Sequence, residues 1–239
     1  MKHTKLLIIP MMILSLNQAL ACDDKLENAN TAIDIHTATI YNSDGSPNCE
    51  VRKLALLYLT TSTDPKILDS SLRSIKGQGL FTRNSAVIIF DFLKKENSDE
   101  LRTLAAQVWY LLFYELNTRE LLEQSFAYLQ EESVIKDLQQ FIDNDKVEDV
   151  RKFIAQTGQV LLSPYRNPEN YELKKELSDA QRSMAEKLGE VFIPVFLNSL
   201  NFDMSEKSAN IRNEILVAID NMSMAKAATR PENLALLIK

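Results

Sequence analysis

The chain contains two cysteines, Cys22 and Cys49, and their setting indicates a disulfide bond. Cys22 directly follows Ala-Leu-Ala, a small-residue cleavage site, at the end of an apolar run that begins after two lysines. These three regions in this order are typical of a secretory signal peptide. An even number of cysteines in an exported protein indicates disulfide pairing, so we expect Cys22 to pair with Cys49.

A second state of Cys22 also fits the sequence, in which it is the lipid-carrying first residue of a bacterial lipoprotein. Ala21 resembles the residue that precedes the cysteine in a lipobox, whereas Ala19 and Leu20 stand in swapped order relative to that pattern. A disulfide implies a soluble periplasmic protein, and acylation implies a lipid anchor at Cys22. Two free thiols are the third state that the sequence allows. Acylation would leave Cys49 as a lone thiol in an oxidising compartment, which favours the disulfide.

Histidine occurs once after the expected cleavage site, at His36. Histidine is the usual general base for serine and cysteine nucleophiles and the commonest metal ligand. One histidine cannot form a multi-histidine zinc site, and two cysteines are too few for a structural zinc site. We therefore expect no metal and no cofactor, and a packing or surface role for His36.

A Gln-Glu-Glu-Ser sequence ends at Ser133, and its last two residues resemble the Glu-Ser pair of lytic transglycosylases. Carboxylates support glycosidase chemistry without histidine, so Glu131 or Glu132 is a candidate acid for cleaving wall glycans. The glycine-rich segment that follows in those enzymes has no counterpart in this sequence. The pattern favours a structural role, in which Glu131 and Glu132 end one helix and Ser133 caps the next.

The densest acidic cluster comprises Asp143, Asp145, Glu148 and Asp149. A helix-loop-helix calcium site needs oxygen ligands at alternating positions around a glycine, and this run lacks glycine and includes Lys146. Acidic side chains in the first turn of a helix interact favourably with the helix dipole. The cluster therefore predicts a helix N-terminus rather than an ion site.

Four aromatic residues, Trp109, Tyr110, Phe113 and Tyr114, lie close together in the sequence. Trp109 and Phe113 share one helical face and are predicted to be buried, while Tyr110 and Tyr114 share the adjacent face. Tyrosine is enriched at the centres of protein interfaces. Tyr110 and Tyr114 are therefore the candidate partner surface.

Apolar residues at helical spacing recur from Cys49 to the end of the chain, divided by start signals such as Asp64-Pro65 and Ser98 and by a stop signal at Gly77. We expect helices over about 50–60, 65–77, 84–95, 98–116, 118–130, 133–144, 147–162, 167–199, 205–226 and 231–238. The predicted class is all-α, a multi-helix array of antiparallel helix pairs, of which an irregular α-solenoid is one form.

The predicted organisation is a signal peptide over 1–21, an N-terminal segment with a turn cluster over 22–48, and a helical domain over 49–239. Segment 22–48 is the hardest to assign. Its Ile and Thr residues alternate partly as in a strand, yet Leu26, Ala29, Ile33, His36 and Ile40 fall on one helical face, which favours a helix. Residues 42–48, Asn-Ser-Asp-Gly-Ser-Pro-Asn, predict a turn.

The formal net charge is -6, and removal of Lys2 and Lys5 with the signal peptide changes it to -8. This charge repels phosphate backbones and disfavours nucleic acid as a partner. No uncharged apolar run after the signal approaches the roughly 18 to 20 residues that span a bilayer. The sequence predicts a non-enzymatic periplasmic protein that binds another protein, for example an immunity or inhibitor protein that neutralises a toxin. The alternatives are an envelope lipoprotein scaffold and a carboxylate-dependent peptidoglycan enzyme.

Overall fold

The computed structural model describes residues 22, 26–79, 81–95, 97–113, 124–125 and 127–162, together with positions 193, 197, 211 and 215–217. Regular structure in these ranges is helical, apart from one isolated β-bridge between Tyr41 and Pro47. The predicted all-α class is therefore confirmed. The expected signal peptide falls outside the described residues. Of the helices expected after position 162, the structure describes positions 193, 197, 211 and 215–217, all of which are helical.

Six α-helices are defined within the described part of the chain, preceded by a short 3-10 helix, Leu26–Asn28. They are α1 Cys49–Thr61, α2 Pro65–Gln78, α3 Arg83–Lys94, α4 Asp99–Leu112, α5 Glu132–Asn144 and α6 Glu148–Leu162. Of the helix expected over 118–130, positions 124–125 and 127–129 are helical. None of the helices in the described ranges has both the length and the apolar character that crossing a bilayer requires.

Two of the predicted helix starts are confirmed by their capping geometry. The Asp64 carboxylate accepts a hydrogen bond from the backbone N–H of Lys66 at 2.9 Å, and Pro65 is the first residue of α2. Ser98 accepts in the same way from the N–H of Leu101 at 3.3 Å. Each side chain satisfies a donor that the first turn of a helix leaves without an intrahelical partner, which fixes where the helix begins.

Several helix limits differ from those that the sequence predicts. The helix α4, expected to reach about position 116, ends at Leu112, and the end of α2 and the start of α5 are shifted. Gly77 does not end α2, which continues to Gln78, and Gly79 forms the cap with a φ of 62° in the left-handed region that glycine favours. Ser133 does not cap α5, because that helix already begins at Glu132, one position earlier. The N-cap residue is Glu131, which makes no side-chain capping bond.

The N-terminal segment is not the helix that its apolar spacing favours. After the 3-10 helix it proceeds through turns, and short polar side chains take the backbone donors that a helix would use. Asn30 accepts from the N–H of Ala32 at 3.1 Å, and Asp34 accepts from the N–H of His36 at 3.0 Å. Such local bonds compete directly with helical hydrogen bonding. The predicted turn over 42–48 is present.

The chain divides into two compact units, Met1–Leu80 and Phe81–Lys239, with a boundary inside the range that the sequence assigns to one helical domain. In the first unit, α1 and α2 pack against each other, and α1 also contacts the 3-10 helix. Fully buried side chains at this packing surface include Leu54, Ala55, Leu72 and Ile75. Cys22 and Cys49, whose sulfur atoms lie at disulfide distance, also belong to this unit.

In the second unit, α4 lies at the centre of the described helices, because it packs against both α3 and α6, while α5 packs against α6. An aromatic cluster forms this core. Trp109 lies between Phe90 and Phe113, with ring centroids 5.1 and 4.7 Å away, and Phe141 contacts Phe90 at 5.3 Å. Trp109 and Phe113 are 0% and 1% exposed, so their predicted burial is confirmed.

Candidate functional site

The sulfur atoms of Cys22 and Cys49 lie 2.00 Å apart, at the distance of a disulfide bond, with a Cα–Cα separation of 5.3 Å. Cys49 is the first residue of α1, and Asn48 caps this helix by accepting from the N–H of Val51. Cys22 is buried. The pair therefore ties the start of the expected mature chain to the start of the first α-helix, as the sequence predicts.

His36 lies on the surface of the first unit, where its Nδ1 atom is 2.8 Å from the Ser70 hydroxyl oxygen. A serine nucleophile needs free N–H donors nearby to stabilise an oxyanion. Ser70 lies within α2, where the surrounding backbone N–H groups serve the helix itself. The contact fits the predicted packing role of His36, which attaches the N-terminal segment to α2.

The candidate carboxylates, Glu131 and Glu132, lie at the start of α5. Glu131 forms an ion pair with Arg83, with 2.5 Å between its Oε1 atom and the Arg83 Nη2 atom, and both side chains are well exposed. Glu132 is exposed on the first turn of the helix. This pairing joins α5 to the start of α3, which is a structural use of the carboxylate.

The acidic cluster separates into residues with different roles. Glu148 and Asp149 lie in the first turn of α6, as the sequence predicts. Asp145 instead turns inward and forms an ion pair with Arg102, a contact that was not predicted from the sequence. Within the described ranges, no group of three or more potential metal-ligating side chains comes together.

Tyr110 of the predicted partner surface is half-buried on α4, and its ring centroid lies 6.1 Å from that of Phe153 on α6. Tyr114 lies outside the described residues. Part of the Tyr110 ring therefore serves the packing of α4 on α6, and its role in partner binding stays a prediction.

A groove of about 570 Å³ lies in the second unit. It lies between the end of α3, the first turn of α4 and the second half of α5. Its lining residues are Leu93, Lys94, Arg102, Asp137, Gln140, Phe141, Asn144, Asp145 and Lys146. The buried side chains of Leu93 and Phe141 contribute its apolar floor.

Lys94 is bound by two carboxylates, with 2.6 Å from its ammonium nitrogen to Asp137 and 3.2 Å to Asp91. Partial burial by itself lowers the pKa of Lys94, but the hydrogen bonds to Asp137 and Asp91 outweigh this effect and raise the pKa above its usual value of 10.5. The ammonium group also lies 5.3 Å from the centre of the Phe90 ring. Lys94 therefore stays charged and held in place at one side of the groove.

Arg102 and Asp145 form a buried ion pair at the groove, with side chains only 10% and 3% exposed. The guanidinium group binds both carboxylate oxygens, one of them at 3.0 Å, and its Nε donates weakly to the carbonyl of Leu93 at 3.4 Å. Asp145 also accepts from the N–H of Val147 at 2.9 Å, just before α6. One ion pair thus connects the end of α3, the start of α4 and the α5–α6 connection.

The sequence itself indicates that Arg102 is buried, although helix assignment does not use this information. Residues three, four and seven positions after Arg102 are Ala105, Ala106 and Trp109, all fully buried on the same face of α4. An arginine in an apolar stripe needs a buried acceptor, because an unpaired buried charge is costly. That requirement indicates an inward-facing carboxylate, but not which one.

The groove is nearly balanced in charge. Lys146, its third cation, lies 3.4 Å from Asp99, so each of the three has a carboxylate partner. Gln140 and Asn144 lie one turn apart on α5 with exposed side chains. The arrangement is suited to hydrogen bonding with a polar ligand. Comparison with protein-family models, curated proteins and solved structures gives no match for this chain.

Proposed function

We propose that this chain is an exported, non-enzymatic protein that binds another protein in the bacterial periplasm. Two observations support export. The sequence begins with a charged, apolar and small-residue succession typical of a signal peptide. The two cysteines lie at disulfide distance, and disulfides persist in oxidising compartments such as the periplasm.

The groove of the second unit is the observation that carries the binding proposal. Each of its cations already has a carboxylate partner, so the site offers little net charge to a phosphate group or a metal ion. A protein segment presents neutral amide donors and acceptors, which the exposed side chains of Gln140 and Asn144 match. Polar rims with paired charges around a smaller apolar centre are typical of protein interfaces.

A toxin acting on the cell envelope is the concrete partner that we propose, which makes this chain an immunity or inhibitor protein. Enzymes that act on anionic wall or membrane substrates favour a positively charged cleft. An acidic protein is attracted to such a surface, and the net charge of -6 becomes -8 once Lys2 and Lys5 are removed with the signal peptide. We expect cells that lack this protein to lose protection against rival strains. Unchanged survival of such cells would contradict the toxin proposal while leaving protein binding untouched.

The test of binding is quantitative affinity capture from periplasmic extract with the mature chain as bait. Gln140→Trp fills the groove from an exposed position, and we expect it to reduce recovery of a specific partner at least tenfold. Gln130→Trp is the matched control, because Gln130 is also exposed but does not line the groove. Equal recovery by the two variants, or no specific partner for the unmodified chain, would contradict the proposal.

The state of Cys22 is measured by the intact mass of protein purified from its native host. We expect the mature chain to be lighter than its reduced form by two hydrogen atoms, as a disulfide requires. A diacyl or triacyl addition would instead support an envelope lipoprotein scaffold. A peptidoglycan zymogram addresses the enzyme alternative, and we expect no clearing.

A further inference from the structure

Residues 41–47 of the first unit form a turn, hereafter turn 41–47. Its exposed side chains are of types that often contact other proteins. Tyr41 is 42% exposed, although large apolar and aromatic side chains are usually covered. Asn42, Ser43 and Asp44, the next three residues, are exposed too. Tyrosine, asparagine and serine together are the side chains that antibody loops favour for contact with proteins.

Hydrogen bonds within turn 41–47 fix its shape. The backbone N–H of Asn42 donates to the carbonyl of Ser46 at 2.8 Å, and the Asn42 side chain donates to the Ser46 hydroxyl at 2.9 Å. Asp44 accepts from both the N–H and the hydroxyl of Ser46, at 2.9 and 2.6 Å. A loop fixed in advance loses less conformational entropy when it binds.

The two ends of the turn are attached to the last residues of α2. The Gln78 side-chain amide donates to the carbonyl of Ile40 at 2.9 Å and to that of Asn48 at 3.0 Å, one residue on either side of the turn. The Tyr41 hydroxyl donates to the carbonyl of Gly77 at 2.6 Å. The Tyr41 ring is therefore exposed but held in one orientation.

Close packing supports the same attachment. A Cβ atom on Gly77 would lie only 2.4 Å from the Cδ1 atom of Ile40, so the Ile40 side chain occupies the space that the glycine leaves. The residue after Asn48 is Cys49, which lies at disulfide distance from Cys22. Three hydrogen bonds, the packing of Ile40 and the neighbouring disulfide pair thus hold a turn whose exposed residues contribute little to the core.

The segment that contains the turn is acidic in sequence. Segment 22–48 contains five carboxylate residues and one lysine. The side-chain and backbone hydrogen bonds from Ser46 lower the pKa of Asp44 below its usual value of 3.8, which favours the ionised carboxylate. Both Ser46 bonds go to its Oδ1 atom, which leaves accepting capacity at Oδ2.

We propose that turn 41–47 is a preformed recognition surface for a positively charged, arginine-bearing face of a partner protein. This inference rests on the proposed protein-binding function and names a surface and a partner chemistry for it. An arginine guanidinium stacks on a tyrosine ring and binds a carboxylate with the same side chain. Tyr41 and Asp44, three positions apart on a rigid turn, offer these two partners together.

Site-specific photo-crosslinking tests the surface in the full mature chain. A photoreactive phenylalanine analogue replaces Tyr41, and in the control it replaces Lys66, an exposed residue in the first turn of the same helix that supports the turn. After irradiation in periplasmic extract, we expect an adduct at position 41 that is at least tenfold stronger than any at position 66. The crosslinked partner peptide is expected to contain arginine or lysine.

Two further measurements separate a charge-dependent surface from simple stickiness. Asp44→Asn keeps the oxygen that accepts from Ser46 but removes the charge, and we expect several-fold less adduct. Raising the salt concentration from about 0.05 M to about 0.5 M is expected to weaken the adduct similarly, because salt screens exposed charges. Equal adducts at both positions, an acidic partner peptide or no salt dependence would overturn the proposal. If no specific adduct forms at position 41 but capture still depends on the groove, this surface is refuted and the proposed protein-binding function stands. If neither the adduct nor groove-dependent capture is observed, the surface and the function are both refuted.

Discussion

Removing Arg102 is the perturbation for which the structure gives the firmest magnitude. The Arg102→Met variant keeps an unbranched apolar side chain in α4 but leaves the Asp145 carboxylate, whose side chain is 3% exposed, without its cation. Breaking a buried ion pair by removing one partner costs about 3–5 kcal/mol. The N–H of Val147 still donates to Asp145, so we expect the lower end, a loss of about 3 kcal/mol in the free energy of unfolding.

Urea unfolding measured by tryptophan fluorescence is the assay, because Trp109 is the one tryptophan of the chain and lies in the core of the second unit. With a urea dependence of about 1–3 kcal/mol per molar, the expected loss lowers the unfolding midpoint by about 1–3 M. The control is Lys146→Met, which breaks an exposed pair with Asp99, where the side chains are 72% and 61% exposed. That change is expected to cost less than about 0.5 kcal/mol.

A double variant distinguishes an ion pair from simple loss of packing. Asp145→Asn on its own leaves the Arg102 charge buried and is also expected to cost about 3 kcal/mol. Combined with Arg102→Met, it removes both charges, so the two losses are expected to be clearly less than additive. A loss below about 1 kcal/mol for Arg102→Met, or additive losses in the double variant, would refute the argument that this pair holds the helix ends together.

Three further predictions concern the first unit. Gly77→Ala is expected to destabilise it by about 1 kcal/mol in thermal unfolding, despite the higher helix propensity of alanine, because the new Cβ meets Ile40. In the double variant Gly77→Ala with Ile40→Ala, the clash is removed and the higher helix propensity of alanine should again stabilise the unit. A Gly77→Ala variant that is more stable than the unmodified chain would contradict the steric argument. Reduction of the disulfide is expected to lower the free energy of unfolding by about 3–4 kcal/mol, because it releases a closed loop. Urea unfolding monitored by hydrogen exchange measures this loss, and an unchanged midpoint would count against a stabilising role of the disulfide. Asp34 is expected to titrate below 3.8 by carbon-13 NMR, because the backbone N–H of His36 and the Thr37 hydroxyl bind its ionised form. Its contribution to stability is complete above pH 3.8 and is lost as the pH falls through the lowered folded-state pKa, so a midpoint at or above 3.8 would contradict this assignment.

The helices of the described region could be predicted because their limits depend on neighbouring residues. Asp64 and Ser98 cap helices through backbone donors two or three positions away, so the sequence itself contains the interaction. The N-cap of α5, Glu131, makes no side-chain capping bond, and there the predicted cap at Ser133 lies two positions too late. Local chemistry therefore determines the boundaries wherever a strong capping side chain is present.

The path of residues 26–40 could not be predicted because it depends on distant residues. The anchoring contacts of the segment reach from His36 to Ser70 and from Ile40 to Gln78, more than 30 positions along the chain. Helical periodicity in its apolar residues is misleading, since the burial of Ile35 depends on turns rather than on a helical face. A pattern within one segment does not identify partners elsewhere in the chain.

Buried arginines are a second feature that the spacing of apolar residues does not predict. Arg52 and Arg102 are 0% and 8% exposed, each on an apolar helix face where a charged residue would normally be assigned to solvent. The partner of Arg102, Asp145, belongs to an acidic run that the sequence assigns to a helix start. Only the packing of α4 beside the α5–α6 connection distinguishes this carboxylate from its neighbours.

The net negative charge of the chain is therefore not evenly available to a partner. In the groove, the carboxylates of Asp137 and Asp145 are occupied by Lys94 and Arg102, so this surface attracts neither sign strongly. Segment 22–48 has a large excess of carboxylates, and the ionised form of Asp44 there is stabilised by hydrogen bonds. Salt-dependent attraction should accordingly depend on turn 41–47, whereas binding in the groove should vary little with salt, because its charges are already paired. The salt dependence of partner capture therefore distinguishes binding at turn 41–47 from binding in the groove, even before the partner is identified.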